Sequence, residues 1–282
     1  MEIIEGIAEL REALDDHRAN GRRVGFAPTM GYLHDGHESL FKRAVGDCDV
    51  AVASIFVNPL QFGVGEDLDA YPRDPHGDRE RAQRCGIAYL FTPSVEEMYP
   101  RPILTTVSVR SLAAVMEGAS RPTHFDGVAT VVTKLLSIVG PCRAYFGEKD
   151  YQQLAIIRQL AFDLSLPVEI VGCPTIREDD GLARSSRNVY LSDAERAVAP
   201  VLHRALRHGA DLIVGGQRDA EVVRRAMAEV IEAEPLGELD YVEVADGATL
   251  EPQLRCDLSS RLFGAVRFGR ARLIDNVGIE GR

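Results

Sequence analysis

The sequence predicts an α/β protein: a mainly parallel sheet with helices on both faces, followed by a smaller α+β domain. Three observations carry that prediction. Short apolar strands alternate with helical stretches through the first two thirds of the chain, polar loops follow three of those strands, and beyond Arg177 the pattern changes to two amphipathic helices and three short strands.

The strand candidates are 24–27, 50–57, 87–91, 105–109, 144–146 and 168–171, each a short run rich in Val, Ile, Ala or Phe. Between them, helical segments near 38–45, 75–84, 127–138 and 150–163 have about the length of right-handed crossovers. Helices follow at 192–209 and 218–234, then strands at 240–244, 265–268 and 272–274, which read as antiparallel. Cys173-Pro174-Thr175 leaves the last parallel strand, so the boundary is expected at 174–177, giving domains 1–175 and 176–282.

A chain of 282 residues, 45% hydrophobic, can bury a sizeable core. The amino terminus lacks a signal-peptide pattern, and no apolar run approaches the ~20 residues of a spanning helix. A cytoplasmic protein without membrane partners is expected. The five cysteines, at 48, 85, 142, 173 and 256, are widely spaced and read as reduced apolar fillers. The net charge of −11 and the lack of a basic stripe argue against nucleic-acid partners.

Ligands of open parallel sheets sit beyond the carboxyl ends of the strands. There the first strand leads into Thr29-Met30-Gly31-Tyr32-Leu33-His34-Asp35-Gly36-His37. Gly31 and Gly36 allow close backbone approach to an anion, a helix start presents unsatisfied N–H groups, and two imidazoles add donors. Half of a metal site, or a solvent-facing turn, would share the His-x-x-His spacing, although no local CxxC or second His pair completes a zinc set. The second strand leads to Asn58-Pro59-Leu60-Gln61-Phe62, and another to Gly147-Glu148-Lys149-Asp150.

Arg177 to Asn188 concentrates two hydroxyls and two guanidinium groups at 184–187, which suits a triphosphate; the bland alternative is a solvated loop whose arginines pair with Glu178, Asp179 and Asp180. Lys149 is placed to be a mobile phosphate-binding cation, or a surface lysine. Asp150 favours a helix start or holds ribose hydroxyls, while Gln61 and Gln153 offer neutral amides for hydroxyl or carboxylate groups. Neither a nucleophile triad nor a Walker A motif is present. The inventory supports attack of a substrate on the α-phosphate of a bound nucleotide.

Taken together, Pro28-Thr29-Met30-Gly31-x-x-His34-x-Gly36-His37, Ser54 through Phe62, Phe146 through Gln153 and Ser185-Ser186-Arg187-Asn188 closely resemble the pantothenate synthetase family. Further blocks lie at Tyr71-Pro72-Arg73, 96–100 and 117–132, whereas the last ninety or so residues resemble the family only in pattern. The resemblance implies membership of the nucleotidylyltransferase superfamily, a Rossmann-like amino-terminal domain, a smaller carboxy-terminal lid domain, a homodimer, and ATP-dependent condensation of pantoate with β-alanine through a pantoyl adenylate, with Mg2+ accompanying ATP. It also implies roles: His34, His37, Lys149 and Arg187 in catalysis; Met30, His34, His37, Gly147, Lys149, Asp150, Ile176, Ser185, Ser186 and Arg187 at ATP; Gln61, Gln153, Met30 and Asn58 at pantoate; Asp78 near the metal. Glu117, Arg121 and His124 are implied as site wall or dimer-side support, and the loop 63–73 as a further lid candidate.

Two positions depart from the pattern. Arg184 stands where Leu or Met is usual, and is expected to turn toward solvent; Gly77, beside Asp78, stands where an acidic residue is common, which weakens a protein-held metal. The rival enzyme is a nucleotide adenylyltransferase with a phosphorylated acceptor, disfavoured by two uncharged glutamines. The non-enzyme rival is an ATP-binding sensor.

Overall fold

The computed structural model describes residues 1–63 and 68–279, so part of the loop 63–73 lies outside the described residues. The chain forms two compact units, one of Met1–Glu148 with Gln153–Pro174, the other of Lys149–Gln152 with Thr175–Arg282.

In the first unit the elements run β1 (Glu2–Ile4), α1 (Ile7–Ala19), β2 (Val24–Thr29), α2 (Asp35–Asp47), β3 (Val50–Ile55), a 3-10 turn Pro59–Gln61, α3 (Pro75–Arg84), β4 (Tyr89–Phe91), α4 (Val95–Met98), α5 (Glu117–Ser120), α6 (His124–Val139) and β5 (Cys142–Gly147). After a second 3-10 turn, Glu148–Asp150, come α7 (Tyr151–Asp163) and β6 (Val168–Cys173). The six strands pair in the order β1-β4-β3-β2-β5-β6, every pairing parallel. β2 is flanked by β3, next in sequence, and by β5 on its other side, so the order changes direction there, which is where α/β sheets place ligands.

β3, Val-Ala-Val-Ala-Ser-Ile, is buried over its first five residues, as a strand covered on both faces must be. Helix α2 lays Leu40, Phe41 and Ala44 on the sheet beside Ala27, Ala53 and Tyr145. Helix α6 buries ten of its residues, and its Gly127 lets the Pro59–Gln61 turn approach: a Cβ there would collide with Leu60 O.

One expectation for this unit needs correction, and one strand was not foreseen. Residues 105–109 are not a strand, despite their β-branched alternation; the Val107 N–H goes to Thr130 Oγ1 on α6 at 3.0 Å instead of to a ladder. The three residues of β1, too short to show a period, pair with β4 as Glu2↔Tyr89 through Ile4↔Phe91.

The second unit holds a 3-10 helix Ser186–Tyr190, then α8 (Asp193–Val198), α9 (Val201–Val214), α10 (Ala220–Glu232), β7 (Glu238–Asp246), β8 (Ser260–Phe268) and β9 (Ala271–Gly278). The expected helix 192–209 is two helices: Ser192 and Glu195 form a capping box for α8, and Pro200 is the N-cap of α9. The three strands form an antiparallel sheet in the order β7-β8-β9. Leu202, Leu206, Ile213, Val223, Met227 and Ile231 from α9 and α10 pack with Val244, Leu262, Val266 and Phe268 of the sheet.

Candidate active site

The loop between β2 and α2 is held by contacts at both ends. The Thr29 hydroxyl donates to Ser54 O at 2.8 Å and accepts the Gly31 N–H at 3.2 Å, turning the chain as the strand ends. Gly31 and Tyr32 then adopt left-handed backbone, with φ of 83° and 50°, an unfavourable conformation for tyrosine. Asp78 on α3 fastens them: its Oδ2 accepts from the Tyr32 N–H at 2.9 Å and its Oδ1 from the Leu33 N–H at 2.6 Å. Burial pushes the Asp78 carboxyl above its ordinary range, and the two N–H bonds oppose that rise.

This placement bears on the metal. Both Asp78 oxygens are committed to main-chain N–H groups, and among the described residues no group of three or more His, Cys, Asp or Glu side chains is arranged to hold an ion. Asp78 therefore fits loop fastening and does not fit the open metal ligand expected of it.

His34 is the N-cap of α2 and His37 its third residue. The Gly36 N–H donates to His34 Nδ1 at 3.1 Å and the His34 N–H to His37 Nδ1 at 3.3 Å, a reciprocal capping box built from two imidazoles. With each Nδ1 an acceptor, the neutral rings carry their proton on Nε2. The rings lie 4.1 Å apart between centroids, so two Nε2–H donors belong to the positive end of a thirteen-residue helix. Glu38, next in the helix, is buried; burial would raise its carboxyl, but Arg84, Lys42 and Arg81 hold it below the usual range, and the two arginines tie α2 to α3.

Beyond β3 the structure gathers a neutral polar group. Asn58 Nδ2 donates to Gln61 Oε1 and to Gly127 O, both at 3.2 Å, while Gln61 Nε2 lies 3.0 Å from Met30 Sδ. Three members were not foreseen in these roles. The Tyr99 hydroxyl donates to Asn58 Oδ1 at 2.8 Å, and burial pushes its pKa up to about 12, so it stays a protonated donor. His124 Nδ1 lies 2.9 Å from Gln61 O, so the carbonyl fixes that nitrogen as the donor, and Arg121 Nη2 donates to the same oxygen at 3.4 Å. Arg121 and His124 thus set the backbone of Gln61. Gln153 lies on the first turn of α7, outside this hydrogen-bonded group among the described residues, and Gly147 ends β5 opposite Cys173.

In the second unit Lys149 Nζ lies 3.2 Å from Asp150 Oδ1. Ser185 Oγ accepts the Arg187 N–H at 3.3 Å and caps the 3-10 helix that contains the buried Ser186. Ile176 O accepts the Arg184 N–H at 2.9 Å. Arg196 takes Glu178 at 2.5 Å and Asp180 at 2.6 Å, and Arg184 reaches Glu178 at 3.6 Å, so Glu178 and Asp180 have cationic partners in Arg196 and Arg184. The Arg184 side chain is 39% exposed with a buried Nε, so it is half-buried beside Glu178 and not turned fully to solvent.

Fold and loop chemistry together define a class: a parallel α/β protein with a His-x-Gly-His helix start beyond its central strand. The model of the family described as pantoate-beta-alanine ligase matches residues 2–278. The chain is 50% identical over 282 residues to the pantothenate synthetase of Caldicellulosiruptor bescii, covering 100% of both chains, and 52% identical over 279 residues to that of Sinorhizobium medicae, covering 98% and 95%. Among solved structures it is similar to pantothenate synthetase from Thermus thermophilus, with a TM-score of 0.94, 50% identity and 99% of each chain covered. It is also similar to the Francisella tularensis pantoate-beta-alanine ligase complexed with beta-gamma ATP and beta-alanine, with a TM-score of 0.82, 34% identity, and 100% and 99% covered. The chain belongs to the pantoate-beta-alanine ligase family and is an enzyme of that family.

Proposed function

We propose that this enzyme condenses pantoate with β-alanine in two steps on ATP. A carboxylate oxygen of pantoate attacks the α-phosphorus, the α–β bridging P–O bond breaks and pyrophosphate leaves. The β-alanine amine then attacks the carboxyl carbon of the pantoyl adenylate, the C–N bond forms, AMP departs with the former carboxylate oxygen, and the amine gives up a proton. The observation that carries this reading is the reciprocal capping of His34 and His37, which directs both ring protons to Nε2 at a helix start. The neutral group around Gln61 and Asn58 favours a small hydroxy acid over a phosphorylated acceptor.

In this reading His34, His37, Lys149 and Arg187 stabilise charge on the leaving pyrophosphate. Met30, Gly147, Asp150, Ile176, Ser185 and Ser186 bind the nucleotide, and Gln61, Gln153, Asn58 and Met30 bind pantoate. Pantoate is already a nucleophile at neutral pH, so the rate comes from placement, worth roughly 7–11 kcal/mol, and from fixed donors, worth ~3 kcal/mol each. Magnesium accompanying ATP would supply charge neutralisation at its phosphates, and Asp78 acts through the loop it fastens. Residues 1–175 serve as the ATP- and pantoate-binding domain and 176–282 as a lid that keeps the adenylate from water. The enzyme works as a cytoplasmic homodimer; the unpaired thiols of all five cysteines suit a reducing compartment.

The test is pyrophosphate release from ATP and magnesium with pantoate, with and without β-alanine, while pantothenate is followed in parallel. Pantothenate formed in proportion to pyrophosphate supports the proposal. ATP binding without turnover would replace it with the sensor reading, and turnover only with a phosphorylated acceptor would replace it with the adenylyltransferase.

A further inference from the structure

We propose that Asn276, together with its neighbour Asp275, is a positioning residue for Lys149 and for the Ser185–Arg187 loop; the inference rests on the ATP-binding roles given above. Both side chains are buried, on β9 of the second unit. A buried amide or carboxylate is costly unless its hydrogen bonds are made, and here each is spent on one of the two groups.

The Asn276 Nδ2 donates to the main-chain oxygen of Lys149 at 2.9 Å, across 127 residues of sequence, and its Oδ1 accepts from Arg261 Nε at 2.6 Å. A carbonyl on one side and a guanidinium on the other define which end of the amide is which. The same Arg261 lies over the Tyr151 ring, 3.6 Å from its centroid, and the Tyr151 hydroxyl donates to Gly247 O at 2.9 Å. Residues 149–151 are therefore clasped at main chain, ring and hydroxyl by the carboxy-terminal sheet and its turn.

Asp275 acts on the second group. Its two oxygens take the Arg177 fork at 2.6 and 2.9 Å, and Arg177 also donates to Gly181 O at 3.1 Å and to Asn276 O at 3.3 Å. Arg177 pairs with Ala183 in an antiparallel bridge, and Ala183 O accepts from Asn188 Nδ2 at 3.0 Å, so both ends of the 184–187 stretch are fixed from the root that Asp275 holds. Two successive residues of one strand thus set the two cationic elements of this unit, and a lysine displaced by about 1 Å loses roughly 10²-fold in rate.

The test is a double-mutant cycle between Asn276 and Lys149, read as pyrophosphate release with ATP and pantoate, as ATP affinity by calorimetry, and as thermal unfolding. Asn276→Asp retains shape and the acceptor for Arg261 but sets a carboxylate against the Lys149 carbonyl; Asn276→Ser is the second variant should the first unfold. We expect about 10- to 100-fold lower turnover, pantoate KM within about twofold, and less than about threefold further loss when the change is made in Lys149→Ala. The same fold-loss in both backgrounds, or wild-type turnover in the folded variant, would overturn the inference. Should the wild-type enzyme not turn over at all, the proposed reaction fails on its own; the cycle in ATP affinity then decides, coupled losses supporting the positioning role and independent losses rejecting it.

Discussion

The neutral polar group of the first unit and the charged loop of the second solve opposite problems. Asn58 and Gln61 are 1% and 9% exposed and are bonded to each other, to a half-buried tyrosine and to a helix carbonyl, without an ionised side chain among those bonds except Arg121 at the main chain. The 177–188 loop is instead laced by ion pairs such as Arg196–Asp180, whose side chains are 31% and 41% exposed. Buried, mutually bonded amides hold a fixed shape, whereas half-exposed pairs are weak, screened by salt and easily rearranged. In the proposed reaction, specificity would rest on the first arrangement and accommodation of a highly charged ligand on the second.

The largest effects test whether the two regions act on the same reaction. His37→Ala and Lys149→Ala should each lower pyrophosphate-release turnover by about 10²–10³, Lys149→Ala with unfolding temperature unchanged and His37→Ala with the small fall expected of a lost helix-cap hydrogen bond; a variant near wild-type rate removes its residue from the mechanism. Next, Gln61→Ala should raise the pantoate KM about tenfold, the loss expected of about one hydrogen bond, with ATP KM held. A selective change in ATP KM would show that the neutral group serves the nucleotide instead. Salt should separate the regions further: between low and physiological ionic strength, ATP KM should rise several-fold more than pantoate KM in steady-state assays, and equal sensitivity would erase the contrast drawn here.

A smaller effect concerns Asp275. Burial alone would raise its carboxyl, but Arg177 and His203 hold it below the ordinary carboxylate range, so the folded value lies under the unfolded one. Its stabilisation is then present above about pH 4 and is lost as pH falls through the folded value. The unfolding free energies of wild type and Asp275→Asn should converge on acidification, and a gap that widens toward acid would reverse the sign. The smallest effect is Arg184→Leu, expected to leave ATP KM within about twofold, since the side chain is 39% exposed and pairs with Glu178; a large rise would make Arg184 an ATP ligand.

Much of this was legible in local sequence. The histidine loop announces itself through residues that are adjacent in the chain, and the helix 75–84 matches α3. What was hidden depends on distant partners. Asp78 read as a metal neighbour because nothing local says that its oxygens meet Tyr32 and Leu33, 46 and 45 residues away. Residues 105–109 alternate like a strand, yet their hydrogen bonding is decided by Thr130 on α6. Asn276 lies in the stretch whose likeness to the family was weakest, and only the fold brings it to Lys149.

The proposed mechanism turns on which oxygen of pantoate attacks which phosphorus, and one measurement reads it directly. With pantoate labelled by oxygen-18 in its carboxylate, a single turnover in the presence of ATP and β-alanine should place one labelled oxygen in the phosphate of AMP and none in pyrophosphate. Unlabelled AMP, or label appearing in inorganic phosphate with ADP as the nucleotide product, would contradict the adenylate mechanism and with it the roles assigned to both regions.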